Sequence, residues 1–415
     1  MAVNSVANGR FGDEGRCRND GGCDGRRYPP SSCQFAAEHG GRLTVIPIRA
    51  SFLSAMAKAL DVPSRRICIV LLSGLGDVVH GLPVVNALKD DDVTRHITWI
   101  VEPMPAQILE HHPSVDAVIR FEPRQRLLGV RQLWRRMRGM KFDLTLNFNV
   151  YAKSIWPVLF SRAPHRFGVD RGRSHEGVWL ASNHHLAPRP RRHTQDLFLE
   201  FLERIGVPVP EPPAWRIPFT DEERQSQASF FTPLADRPVA VIVPASGSYK
   251  KDWIAARWAM VADAIHHDFG FNVVMAGGPG ERETRIGREI ADTARAPIVW
   301  AMGEGVRRVA WVVAGAQLVI APDTGPVHIA RAFNVPVVGL YGHTNPWRVG
   351  PYRAFEDLWV DRYTNPGEEP DSSRADPRWE RMPLITVDDV IEKVERAVAT
   401  HLKKGNVDRH RSVNF

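Results

Sequence analysis

Cysteine is scarce in this sequence: Cys17, Cys23, Cys33 and Cys68 are the four in 415 residues. The first three fall in a Gly/Arg-rich opening stretch whose spacings match no common zinc pattern. Cys68 sits inside a strand-like apolar run, where a buried, inert thiol is the simplest reading. A disulfide-built fold is therefore excluded, and a reducing cytoplasm suits the chain. Long hydrophobic runs are missing too. The longest, such as Ile67–Leu72 and Val239–Val243, are strand-sized and far short of the roughly 20 residues of a membrane-spanning helix. Gly, Arg and Asp interrupt the opening residues before an apolar stretch develops, so no ordinary signal peptide is expected. No Asp-x-Asp pair stands at a strand end in the body, and neither metal nor cofactor is expected.

What is present is a large reserve of basic side chains, unevenly spread. The net charge is +7, yet residues 120–192 alone hold sixteen Lys/Arg against four Asp/Glu. The two ends, residues 1–60 and 401–415, each contribute +3, so the rest of the body is acidic. This asymmetry predicts an anionic partner met at one face. No nucleic-acid recognition motif accompanies the charge, and nucleic acid is not expected.

Residues 1–62 combine Gly, Arg, Pro and Ser with little periodicity and read as a disordered extension, with Met56 as a candidate true start. From Arg66 the pattern alternates strand and helix: Ile67–Leu72, Ile97–Val101, Ala117–Arg120 and Phe142–Phe148 read as strands. Val78–Leu88 and Arg124–Met140 read as helices, the second with Leu127, Val130, Leu133, Trp134 and Met137 on one face. A Pro-rich break at Val207–Pro218 follows. Beyond it, strands at Val239–Val243, Phe271–Ala276, Ile298–Ala301, Leu318–Ala321 and Val335–Tyr341 repeat the alternation, and Thr386–Leu402 reads as a closing helix. The expected class is α/β, with two Rossmann-like halves facing one cleft in the GT-B manner. The halves span residues 63–210 and 211–385, followed by a closing helix at 386–403 and a basic tail at 404–415.

Four segments carry candidate chemistry, each at the end of a strand. Ser73-Gly74-Leu75-Gly76-Asp77 turns from the first strand into the first helix. Its glycines permit close backbone approach, and Asp77 can take a proton from an attacking hydroxyl. Helix capping is the commoner job for Asp at such a place. Asp323-Thr324-Gly325-Pro326-Val327-His328 puts proline in a first helical turn, with amides aimed at an anion such as a departing diphosphate. An ordinary cap with a core histidine explains the same residues equally well. Ser246-Gly247-Ser248-Tyr249-Lys250-Lys251 offers hydroxyls and a lysine for phosphate, against the alternative of surface lysines. Gly277-Gly278-Pro279-Gly280-Glu281 is a turn whose acid can bind a ribose.

Taken together, the order and placement of these segments resemble glycosyltransferase family nine, the ADP-heptose:lipopolysaccharide heptosyltransferases. The resemblance runs from about Arg66 to Leu402 and includes Glu102, Phe142-Asp143, Lys153-Ser154, Leu340–Pro346 and Gly350-Pro351. It implies a metal-independent, inverting transfer with Asp77 as general base. Ser246, Lys251, Glu281, Asp323, Thr324, Gly325 and His328 would bind the nucleotide-sugar donor, ADP-heptose in the family's terms. Gly76 and Lys153 would meet an acidic, lipid-linked glycan acceptor such as Kdo on lipid A. The enzyme would work in the cytoplasm, with Arg124–Met140 offering a peripheral contact to the inner face of the inner membrane. The chain departs from the family where Leu71 replaces a frequent basic residue, where Ser246-Gly247 replace two threonines, and at Asn149–Ala152. Those departures bear on the donor and acceptor used. A nucleotide-sugar epimerase of similar layout, a transferase using another sugar, and a non-catalytic nucleotide-sugar binder are the competing readings.

Overall fold

The computed structural model describes residues 60 and 62–402. Of the proposed disordered extension at 1–62, Leu60 and Val62 are described and pack against the core. Leu60 donates its amide to the Arg204 carbonyl at 3.0 Å, so order begins earlier than expected. Met56, three of the four cysteines and the basic tail lie outside the described residues. The first half runs β1 (Arg66–Leu71), α1 (Leu75–Asp91), β2 (His96–Val101), β3 (Ala117–Arg120), α2 (Arg126–Met137), β4 (Leu144–Asn147), α3 (Ile155–Ser161), β5 (His165–Gly168), β6 (His184–His185) and α4 (Thr194–Ile205). The second runs α5 (Asp221–Phe231), β7 (Val239–Ile242), α6 (Ala255–His267), β8 (Asn272–Gly277), α7 (Glu281–Thr293), β9 (Ile298–Met302) and α8 (Val306–Gly315). It continues through β10 (Leu318–Pro322), α9 (Gly325–Ala332), β11 (Val337–Tyr341), α10 (Pro346–Val349), β12 (Trp359–Asp361) and α11 (Val387–Ala397).

The strands form two six-stranded sheets, ordered β3-β2-β1-β4-β5-β6 and β12-β11-β10-β7-β8-β9. All pairings are parallel. Apolar runs such as Ile67–Leu71 and Val239–Ile242 are buried on both faces, which parallel sheets sandwiched by helices require. Each sheet reverses its strand order once, between β1 and β4 and between β7 and β10. Such a reversal opens a crevice beyond the carboxyl ends of the strands, where ligands bind in open α/β sheets. Both halves thus repeat one topology, and one apolar core cluster takes side chains from both, including Leu75, Val78, Val306 and Val327.

The expected strands are all present, shifted by a residue or two. Three further ones, β5, β6 and β12, carry too little apolar alternation to be seen in isolation: His-Arg-Phe-Gly, His-His and Trp-Val-Asp. β6 and β12 form sheet edges and β5 lies one strand inside β6, and pairing to a formed neighbour supplies what their own sequences lack. Helix α2 turns Leu133 and Met137 onto its own sheet, while Leu127 and Leu128 point outward at 85% and 59% exposure. Among the described residues no helix is long and apolar enough to cross a membrane.

Candidate active site

The two switch points decide where chemistry can happen. β1 ends in Ser73–Asp77, β4 in Asn149–Lys153, β7 in Ser246–Lys251 and β10 in Asp323–Gly325. All four segments line one cavity of about 770 Å³ between the sheets.

Asp77 occupies the first turn of α1 but does not cap it. The N-cap is Gly74, which has no side chain to offer. The carboxylate instead accepts a hydrogen bond from the Ser73 hydroxyl and lines the cavity. Across the cleft, α9 begins at Gly325 with Thr324 as its N-cap and Pro326 in its first turn. The Thr324 side chain makes no capping bond. The Val327 amide closes onto the Thr324 carbonyl at 3.0 Å and Pro326 has no N–H, so the Thr324 and Gly325 amides are the ones left for an anion.

The two helix starts are packed against each other through glycines. A Cβ on Gly76 would lie 2.5 Å from Cδ2 of His328, and one on Gly325 would lie 2.7 Å from Cβ of Leu75. Only glycine lets α1 and α9 approach so closely. The same contact sets the Asp77 turn beside the start of α9.

Lys251 donates to Asp323 twice, at 2.7 Å to Oδ2 and 3.1 Å to the backbone oxygen. Burial would push the Asp323 carboxyl up, but Lys251 and His328 overcome it and hold it well below the usual carboxylate range. His328 Nε2 lies 3.8 Å from Asp323 Oδ1. Its ring also meets His80 with centroids 4.3 Å apart, and His80 meets His193 at 5.2 Å. Burial, aided by repulsion from His328 and His193, holds His80 well below the ordinary histidine value. Burial likewise lowers His193 to about 4. His80 and His193, held neutral by burial, add no positive charge to this wall of the cleft.

Ser246 is buried in the β7 loop, where its hydroxyl donates to the Ser248 carbonyl at 3.0 Å. Lys153 reaches Glu102 at 2.7 Å beside the cavity mouth. Lys250, the neighbour of Lys251, lies over the ring of Trp379 at 4.0 Å. Of the expected site residues, Gly76, Asp77, Lys153, Ser246, Lys251, Asp323, Thr324, Gly325 and His328 share the cavity wall. Glu281 does not. It is exposed at the start of α7, whereas Glu283 lines the cavity and accepts from the Gly278 amide at 2.8 Å. Sequence reading also passed over His80, His193, Arg191, Arg192 and Arg348. Histidines in a helix and arginines in a loop give no local sign that they converge.

The pairing of two Rossmann-like lobes, with a carboxylate on one and an anion-ready helix start on the other, defines a GT-B-type glycosyltransferase. The sequence model of glycosyltransferase family 9 (heptosyltransferase) matches residues 130–370. A lipopolysaccharide core heptosyltransferase, OpsX, from Haemophilus influenzae is 30% identical over 295 residues, 71% of this chain and 84% of its own length. Lipopolysaccharide heptosyltransferase 1 of Pseudomonas aeruginosa is 28% identical over 69% of this chain and 81% of its own. The chain belongs to glycosyltransferase family 9. Its fold matches a family 9 glycosyl transferase from Veillonella parvula with a TM-score of 0.69 at 22% identity, covering 82% of this chain and 99% of that one. The E. coli heptosyltransferase WaaC with ADP gives 0.63 at 21% identity, covering 80% and 99%.

Proposed function

We propose that this enzyme transfers a heptose, with inversion, from ADP-heptose to an acidic lipopolysaccharide inner-core acceptor. The observation that carries the reading is the direct packing of the Asp77 turn against the start of α9 in one cavity. In the step, an acceptor hydroxyl gives its proton to the Asp77 carboxylate while its oxygen bonds to the anomeric carbon. The bond from that carbon to the diphosphate breaks, and its electron pair leaves with ADP. The Thr324 and Gly325 amides and the Lys251 ammonium receive the growing negative charge. Because these groups supply the compensation, turnover is expected to persist in EDTA. Ser246 and Glu283 are the further donor contacts we assign, Glu283 in place of Glu281 for the ribose, and Gly76 and Lys153 flank the acceptor.

The name of OpsX describes a heptosyltransferase of the lipopolysaccharide core, and that of the P. aeruginosa enzyme a lipopolysaccharide heptosyltransferase. The proposed domain division near residue 210 follows the end of α4. Cytoplasmic action at the inner face of the inner membrane fits the outward Leu127 and Leu128 and the arginines of α2.

The deciding experiment is Asp77→Ala. Transfer should be lost while the protein stays folded and binds ADP as before. Wild-type-like turnover would remove Asp77 as the base, and release of an epimerised sugar without acceptor would favour the epimerase instead.

A further inference from the structure

Most charges around the cleft are already committed. Lys251 is paired with Asp323 and Lys153 with Glu102, while buried Arg173 is held between Asp170 and Glu200. Three guanidiniums differ. Among the described residues, Arg191, Arg192 and Arg348 enter no ion pair, yet all three line the cavity.

Their convergence comes from the backbone. Arg191 and Arg192 directly precede His193 and Thr194, at the entry to α4. Arg348 lies in α10, on the opposite lobe. These stretches are fastened to each other: the Thr194 hydroxyl donates to the Arg348 carbonyl at 3.4 Å, and His193 Nε2 to the Gly350 carbonyl at 2.9 Å. Arg348 is largely buried, and its Nε has no hydrogen-bond partner. Arg191 contributes repulsion at Arg348, and Asp77 outweighs Asp323 among the attractive charges that it senses. Arg348 thus lines, from the second lobe, the same cavity that Asp77, Arg191 and Arg192 line from the first. Holding a desolvated guanidinium beside a second cation, with no partner for its Nε, is unfavourable unless an anion completes the set.

We propose that Arg348, with Arg191 and Arg192, is an anion clamp spanning the two lobes that takes an oxyanion of the acceptor. The planar fork of Arg348 suits a carboxylate or a phosphate bound through two oxygens. Because its parts belong to different lobes, an occupied clamp also holds the cleft shut while Asp77 acts. The clamp rests on the acceptor reading above for the identity of its ligand, but not for its existence.

The test is calorimetry on ADP-loaded enzyme with a Kdo-lipid A acceptor, its Kdo methyl ester, and its dephosphorylated form. In Arg348→Ala, acceptor affinity should fall on the order of 10- to 100-fold, as when a hydrogen bond to a charged group is lost, with ADP affinity unchanged. Arg348→Lys, which keeps the charge but not the fork, should fall between. Esterification should cost the wild type the same factor and Arg348→Ala almost nothing, if the carboxylate is the ligand. If dephosphorylation behaves so instead, the clamp stands with phosphate in it. An Arg348→Ala protein as sensitive to both modifications as the wild type would overturn the proposal. Thermal stabilisation of the ADP complex by inorganic sulfate gives an arm independent of the acceptor. Stabilisation that disappears in Arg348→Ala, in an enzyme that ignores the Kdo acceptor, would retain the clamp and reject the acceptor reading. Equal stabilisation of both proteins would reject the clamp.

Discussion

The Lys251 ammonium sits 2.7 Å from the Asp323 carboxylate, joining the β7 loop to the β10 loop at the point where a diphosphate would arrive. Lys251 neutralises Asp323 and, on the proposed function, would also lend charge to the donor. Lys251→Met should therefore weaken ADP binding about 10- to 100-fold. It should also lower stability by about 2–5 kcal/mol, because it strands a buried carboxylate. Calorimetry and urea unfolding separate the two effects.

Replacing the two acids in the first turn of α7 should give different results. Glu283→Gln is expected to weaken ADP binding several-fold, while Glu281→Gln leaves it unchanged. Titration of both variants with ADP settles which residue meets the nucleotide, and an effect confined to Glu281 would contradict the geometry.

Stability should fall on mild acidification. His193 is lowered from 6.5 to about 4, His112 likewise to about 4, chiefly by burial in each case, and His80 lies well below its ordinary value. Between the ordinary and the folded values the unfolded chain binds more protons than the native one, so acid favours unfolding. Each histidine contributes a slope of about 1.4 kcal/mol per pH unit through that window. Its stabilisation is complete above pH 6.5 and lost toward pH 4. Asp323, held low, adds its loss only below the ordinary carboxylate range, near pH 4. Urea midpoints measured from pH 7.5 to 5 should decline, and His193→Gln should flatten the curve.

The glycines at the meeting of α1 and α9 should be intolerant of a methyl group. Gly325→Ala is expected to hold the lobes apart and reduce kcat by at least tenfold, visible as a larger radius of gyration in X-ray scattering. Leu75 is the side chain in the way. Leu75→Gly, which removes the Cβ that the new methyl would meet, combined with Gly325→Ala should restore part of both properties, whereas a purely chemical role for Gly325 predicts no rescue.

The fold was largely legible because its strands are buried on both faces. Runs such as Ile67–Leu71 and Leu318–Ala321 announce a parallel sheet by themselves, and the four functional segments follow such runs. Asp77 and Asp323 could be singled out because they stand in loops tied to those strands. Glu283 was missed in favour of Glu281 because two positions along a helix start decide whether a side chain turns into the cleft or away. That rotation is set by the Gly278 amide, not by the local composition. Arg348 and the Arg191-Arg192 pair, some 150 residues apart in the chain, line one cavity, and His193 and Thr194 bond the two stretches together through backbone carbonyls of Gly350 and Arg348. Helix α2 was read as one apolar face, yet its residues divide between core and solvent.

Because every strand of both sheets runs in the same direction, each lobe has a working end and an idle one. Loops at the amino ends of the strands only return the chain, so grafts or lengthened turns there should leave catalysis untouched. The opposite loops can be exchanged to alter which sugar is moved without rebuilding either scaffold.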